Sequence, residues 1–404
     1  MNELLLFQVA GEDRPGLAAA LTERMARYDL EILDMGQAII LDMLSLGILV
    51  RVPKSSESAP VVKDLLFLAH ELGMNLKCIP VTEDEYTRWA ALEERQRHIV
   101  TLIGRSISSG QVAALTRALH EHGMNIEVVT RLSGRAPLTQ AADAKPACVE
   151  FFVQGRPRDP EALRGEFLRI AQEMGVDIAL QEDNVFRRNR RLVAFDMDST
   201  LIQAEVIDEL AKEAGVGEQV AAITEAAMRG EIDFQESFRR RLRLLKGLPE
   251  TALARVAERI PMTEGAERLI TNLKRFGYKI AIISGGFSWF GRKLQQRLGI
   301  DYLYANELEV RDGAVTGEVV GQVVDAARKA EILREIAERE QISLQQVIAV
   351  GDGANDLPML NLAGLGIAFH AKPVVKAGAR QSISTLGLDS ILYLIGLRER
   401  DTMS

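Results

Sequence analysis

The chain has 404 residues, 47% hydrophobic and 26% charged, which excludes both a disordered chain and a membrane-embedded one. Its length calls for about two to four units with cores of their own. A formal net charge of −8, from 49 Lys+Arg against 57 Asp+Glu, gives no general footprint for nucleic acid, and no nucleic-acid partner is expected.

The N-terminus, MNELLLFQVAGEDRPG, follows a short apolar run with acids, unlike a secretory signal. Residues 38–50, AIILDMLSLGILV, are interrupted by Asp42 and fall short of the roughly 20 residues a membrane span needs. The expectation is a cytoplasmic protein with no membrane partner. Residues 4–10 read as a strand, 16–28 as a helix, 32–41 and 44–52 as strands, 59–73 as a helix and 76–82 as a strand, within a domain placed at 1–84. EDEYTRWAALEERQRH reads as a connecting helix, bounded at 85–97. The pattern then repeats within 98–183, with strands at 98–104, 125–132, 147–154 and 176–181 and helices at 109–122 and 160–174. AALTERMARYDLEI at 19–32 is echoed by AALTRALHEHGMNI at 113–126. Two βαββαβ units of α+β type, each with helices on one face of an antiparallel sheet, bury those faces. Cys78 and Cys148 read as small buried hydrophobes.

RRNRR at 187–191 reads as a solvated linker over 184–191. Beyond it, within 192–396, apolar runs at 192–196, 278–284, 346–352 and 365–370 alternate with helical patterns, which predicts an α/β, Rossmann-like parallel sheet covered on both faces. A helical insertion over 203–260 is placed to cap the carboxyl ends of the strands, where ligands enter open α/β folds.

The chemistry gathers at those ends. LVAFDMDST places Asp196, Asp198 and Thr200 just past a strand; one carboxylate can attack phosphorus while the other passes a proton to the leaving alkoxide. The next strand ends in Ser284-Gly285-Gly286, a hydroxyl and unencumbered backbone donors suited to phosphoryl oxygens. GDGANDLPML at 351–360 supplies Asp352 and Asp356 as hard oxygen ligands and Asn355 as a donor, a sparse set that suits magnesium. Lys329 in DAARKAEIL is the candidate cation to offset these charges.

DMDST, SGG, Lys329 and GDGAND, in that order, resemble the haloacid-dehalogenase-like phosphatases and, within them, the phosphoserine phosphatases. The resemblance implies Mg²⁺ as cofactor, Asp196 as nucleophile and Asp198 as acid and base. It also implies a metal bound by Asp196, Asp198 and Asp352 and supported by Asp356, with Ser284, Gly285, Lys329 and Asn355 on the phosphoryl group. In the cap, Glu205 resembles the family's partner for the substrate ammonium, Arg241 the grip on its carboxylate, and Met228 and Phe234 the apolar cover. The implied reaction is hydrolysis of O-phospho-L-serine through an aspartyl phosphate, the last step of serine biosynthesis. Phosphohomoserine or phosphothreonine as substrate, a mutase, and an inactive amino-acid sensor remain as alternatives. The N-terminal units resemble ACT domains, which implies a homodimer formed through them and an amino-acid effector. GEDRPG at 11–16 carries that resemblance, whereas GRSISSG at 104–110 lacks the Asp-Arg-Pro element.

Overall fold

In the first ACT-like copy, alternation on the strands and a four-residue period on the helices put one apolar face on each element. The structure, a computed structural model, describes residues 3–54, 57–91, 96–135, 146–229 and 231–403, without the side chains of 228 and 234. The chain divides into two units, residues 1–95 and 96–404. The first contains β1 (Glu3–Glu12), α1 (Leu17–Ala26), β2 (Glu31–Ile40), β3 (Met43–Val52), α2 (Ser58–Glu71) and β4 (Asn75–Val81). Its antiparallel sheet has the order β2-β3-β1-β4. Leu5, Phe7 and Val9 of β1 and Leu46, Ile48 and Val50 of β3 face Leu17, Leu21 and Met25 of α1 and Val61, Leu65 and Leu68 of α2. Gly16 takes φ 94° as the N-cap of α1, a conformation glycine tolerates, so the helix starts one residue after it and Pro15 lies outside the first turn. Of the expected connecting helix, α3 spans Glu83–Ala90, opened by a capping box between Thr82 and Glu85; the part at 92–95 lies outside the described residues.

The second unit begins with the second copy: β5 (Arg97–Gly104), α4 (Ser109–Glu121), β6 (Asn125–Arg131), β7 (Ala147–Gln154), α5 (Pro160–Met174) and β8 (Asp177–Glu182). The order β6-β7-β5-β8 repeats the first sheet strand for strand. Cys148 is fully buried as expected, while Cys78 in the first copy is only half-buried.

The RRNRR stretch departs from its reading as a solvated linker. Arg187 is 4% exposed and pairs with Glu150 of β7, itself 3% exposed, and Arg190 is 7% exposed; Arg188 and Arg191 are exposed. A run of charge is solvated only where nothing folds against it, and here β7 supplies a buried carboxylate from 37 residues upstream.

The remainder builds the larger sheet. β9 (Leu192–Phe195) leads into α6 (Val206–Glu213), α7 (Gly217–Met228), α8 (Phe234–Arg243) and α9 (Glu250–Arg259), then α10 (Ala266–Arg275), β10 (Lys279–Phe287) and α11 (Ser288–Leu298). The chain continues through β11 (Tyr302–Arg311), β12 (Ala314–Val320), α12 (Ala326–Arg339), β13 (Val347–Gly351) and α13 (Leu357–Leu362). It ends with β14 (Leu365–Phe369), α14 (Pro373–Gly378), β15 (Gln381–Ile383) and α15 (Ile391–Leu394). The seven strands run β12-β11-β10-β9-β13-β14-β15, parallel except for β12, which forms an antiparallel edge with β11. The β11–β12 pair was not anticipated from the sequence. Successive residues of β9 serve opposite layers: Val193 and Phe195 join α10, α11 and α15, whereas Leu192 and Ala194 join α12, α13 and α14. Burial on both faces is why these strands read as unbroken apolar runs.

Candidate active site

Because β9 lies between β10 and β13, the polar residues at the carboxyl ends of all three meet at one place. Asp196 follows β9 and is tied to β13 by its N–H, which donates to the Val350 carbonyl at 2.9 Å. Its Oδ1 accepts from the Met197 N–H at 2.8 Å and lies 3.0 Å from Lys329 Nζ. Lys329, fully buried in the first turns of α12, also donates to Asp356 Oδ1 at 2.7 Å. Burial alone would lower the lysine's pKa, but Asp196 and Asp356 outweigh it and hold the ammonium charged. The other oxygen of Asp356 accepts from the Gly353 N–H at 2.9 Å, so both its oxygens are engaged.

Asp352, just past β13, accepts from Thr200 Oγ1 at 3.1 Å. Burial, then the charges of Asp196, Asp356 and Glu205, push its carboxyl up to about 7. Carboxylate oxygens of Asp196, Asp352 and Asp356 all lie within 4.8 Å of one another. Hard oxygen donors this crowded, with one lysine between them and Asp352 pushed toward its neutral form, fit a divalent cation such as magnesium.

Asp198 is 9% exposed and its Oδ1 is buried without a hydrogen-bond partner. Burial, followed by Glu205 and Asp196, raises its carboxyl well above the usual range, which favours its protonated form beside Asp196. Gly286 makes this proximity possible: a Cβ there would stand 2.9 Å from Asp198 Oδ2 and 2.8 Å from Met197 Cε. Ser284, 1% exposed, accepts from the Gly286 N–H at 3.0 Å. Asn306 of β11 pins this turn, donating to the Gly285 carbonyl at 2.7 Å and accepting from the Val324 N–H at 2.8 Å.

On the cap side, Ser199 adopts φ 55°, a left-handed turn uncommon for a non-glycine residue, and its hydroxyl donates to Glu205 Oε1 at 2.8 Å. Glu205 is the N-cap residue of α6; it keeps solvent contact, yet the protein packed around its carboxylate raises its pKa. Arg241 on α8 donates through Nε to the Ser237 carbonyl at 3.4 Å and makes no ion pair among the described residues. Burial lowers its pKa, against the pull of Asp208 and Glu205.

A cleft of 110 Å³ gathers Asp196, Asp198, Glu205, Arg241, Ser284, Gly285, Asp352 and Asn355. Lys329 and Asp356 do not line it; they back the wall behind Asp196. Met228 ends α7 and Phe234 begins α8, but their side chains lie outside the described residues. Ile207, Phe238 and Phe287 supply apolar lining that the sequence reading did not single out. Gly286 was expected only as a backbone donor, and Ser199 and Asn306 were not singled out. Gly286 stood within a motif already quoted, whereas the roles of Ser199 and Asn306 depend on turns and a strand that no local pattern announced.

A parallel sheet with a carboxylate cluster at its carboxyl edge and an inserted helical cap defines a class of hydrolases, and residues 193–361 match the model of the haloacid dehalogenase-like hydrolases. Residues 3–78 and 96–181 each match an ACT domain. A phosphoserine phosphatase of Streptomyces coelicolor is 39% identical over 397 residues, covering 98% of this chain and 93% of the relative. One from Mycobacterium tuberculosis is 39% identical, covering 97% and 93%. Among solved structures, an unliganded probable phosphoserine phosphatase from Vibrio cholerae is 35% identical with a TM-score of 0.59, covering 75% of this chain and 87% of that one. The chain belongs to the phosphoserine phosphatase family of haloacid dehalogenase-like hydrolases.

Proposed function

We propose that this chain hydrolyses O-phospho-L-serine to L-serine and phosphate through an aspartyl phosphate, and that its residues divide the work as follows. In the first half, an Asp196 carboxylate oxygen attacks phosphorus in line, and Asp198, its pKa raised by burial, gives its proton to the departing seryl oxygen as the P–O bond breaks. In the second, the ionised Asp198 takes a proton from water, whose oxygen attacks phosphorus and breaks the bond to Asp196. Ser284, the Gly285 backbone and Asn355 hold the phosphoryl oxygens, with Lys329 fixing Asp196 from behind. The Asp196 and Asp352 carboxylates, with the Asp198 carbonyl and the support of Asp356, would hold magnesium, which would neutralise phosphoryl charge when bound.

The observation that carries the substrate choice is the pair of charges at the cleft beside Asp196 and Asp198. Glu205 presents an anion and Arg241 a cation, and they do not neutralise each other by an ion pair. A zwitterionic amino acid answers both, its ammonium on Glu205 and its carboxylate on Arg241, with Met228 and Phe234 closing over it. The test is magnesium-dependent phosphate release from L-phosphoserine beside phosphohomoserine, phosphothreonine and sugar phosphates. Preference for phosphoserine supports the clamp. Preference for a sugar phosphate overturns the cap reading, and serine binding without turnover points to a sensor.

The ACT-like copies support a homodimer and an amino-acid effector. In the first copy, the edge strand β2 exposes Ile32, Met35, Ile39 and Ile40, an apolar edge suited to a second copy of the chain. Among the described residues no helix is long and apolar enough to cross a membrane, and the cytoplasm is the proposed location.

A further inference from the structure

The second unit also holds a charged cavity apart from the catalytic cleft. A cavity of 590 Å³ lies between the second ACT-like copy and the parallel-sheet core. The ACT-like side contributes α5 and β8, and the core side the amino ends of β13, β14 and β15 through Gln345, Leu365 and Gln381. Asp352 follows the opposite end of β13, a strand of five residues that spans about 15 Å. The wall between the two bodies is firmly built. Asp177 accepts from the Ser384 and Thr385 N–H groups at 2.8 and 2.9 Å, Gln181 Nε2 donates to the Leu394 carbonyl at 2.8 Å, and Arg164 donates to the carbonyls of Lys376, Ala377 and Ala379.

The lining carries five cations, Arg156, Arg164, Arg190, Lys376 and Arg380, against Glu161 and Glu182. Of the five, only Arg164 has a carboxylate within ion-pair distance among the described residues, Glu161 at 3.8 Å. Arg190 is the telling one. It is 7% exposed, its Nη1 donates to the Gln345 carbonyl at 3.1 Å, and its Nε is buried with no partner. Burial pulls this guanidinium down to about 10. A buried cation without a counter-ion is costly unless an anion meets it. His98 also lines the cavity and keeps its buried Nδ1 without a partner.

We propose that this cavity binds a small oxyanion, a carboxylate or phosphate compound, with Arg190 as the buried anchor and Lys376, Arg380 and Arg156 completing the positive lining. A guanidinium fork suits either group. Bound there, the ligand bridges the second ACT-like copy to the core at the end of the sheet away from Asp196, and so does not compete with substrate.

The test is calorimetric titration of the full chain, with magnesium present, by succinate and separately by inorganic phosphate. It is repeated on the double variant Lys376→Gln/Arg380→Gln, on Arg190→Met and on Ser284→Ala. The expected result is saturable binding of at least one anion, weakened about tenfold or more by the double variant and retained in Ser284→Ala. Preference for succinate identifies a carboxylate ligand, and preference for phosphate a phosphate compound. The double variant alters solvent-side residues, so a melting curve matching the parent keeps the comparison valid if Arg190→Met does not fold. Three results overturn the proposal: no binding of either anion at millimolar concentration, unchanged affinity in the double variant, or phosphate binding alone that Ser284→Ala abolishes, which belongs to the catalytic cleft.

Discussion

The floor of the active site and its cap treat charge in opposite ways. On the floor, Lys329 is held between Asp196 at 3.0 Å and Asp356 at 2.7 Å, and the second oxygen of Asp356 is taken by the Gly353 N–H. In the cap, Arg241 has no ion pair among the described residues, and the Glu205 carboxylate is bonded there only by the Ser199 hydroxyl. The floor is set before substrate arrives, which is what stabilising developing charge requires. The cap leaves its charges for the substrate to meet, which suits recognition. Substitutions on the floor should therefore strike the chemical step, and those in the cap should strike affinity and selectivity.

The largest effect belongs to Asp196→Asn, which keeps the shape but removes the nucleophile. Turnover should fall by about 10⁴-fold or more, and no acid-stable radiolabelled phosphoenzyme should form from ³²P-phosphoserine. Normal turnover in this variant would sink the mechanism. Lys329→Met comes next. It should cost about 10²–10³ in kcat by the loss of one positioned cation. The same change leaves Asp196 and Asp356 buried without their partner, so it should also destabilise the fold by about 3–5 kcal/mol, read from denaturant unfolding. A variant of parent stability and activity would show that the floor is not preset by this lysine.

What the sequence made legible follows the same division. Asp196, Ser284 and Asp352 each follow directly, or within two residues, on an apolar run of β9, β10 or β13, so motif and strand announce each other, and Asp198, Lys329 and Asp356 fall at short spacings from them or on a periodic helix. β11, YLYANELEVR, gave no such signal. It is half-buried over most of its length near the sheet's edge, with only Asn306 and Leu308 buried, and with it went Asn306, whose contacts at Gly285 and Val324 are 18 or more residues away. The burial of Arg187 and Arg190 was hidden for a related reason. Charge runs read as solvated from local composition, and only the folded chain brings Glu150 and the Gln345 carbonyl to them. Ser199 lay inside the recognised motif, but its left-handed turn and its bond to Glu205 could not be read from spacing.

In the cap, Arg241→Ala should leave kcat less affected and raise KM for phosphoserine. The loss of a charge-assisted hydrogen bond is worth about 1.5–3 kcal/mol, equivalent to about 10–150-fold. The same variant should lose its preference for phosphoserine over phosphoethanolamine, which lacks the carboxylate. Retained preference would place the carboxylate elsewhere.

The smallest effect is the most diagnostic, because it links the cap back to the floor. Asp198 must be protonated to release serine, and burial, Glu205 and Asp196 raise its pKa, so it stays protonated to higher pH than an ordinary carboxyl and phosphoenzyme formation slows as pH rises past that point. Glu205→Gln removes one of the negative charges that raise it. The pKa of Asp198 should then drop and the alkaline limb of single-turnover phosphoenzyme formation, measured at fixed magnesium, should move to lower pH, while KM rises through loss of the ammonium partner. A KM effect with an unmoved limb would confine Glu205 to recognition and separate cap from floor electrically. A limb moving to higher pH would mean that the titrating group is not Asp198.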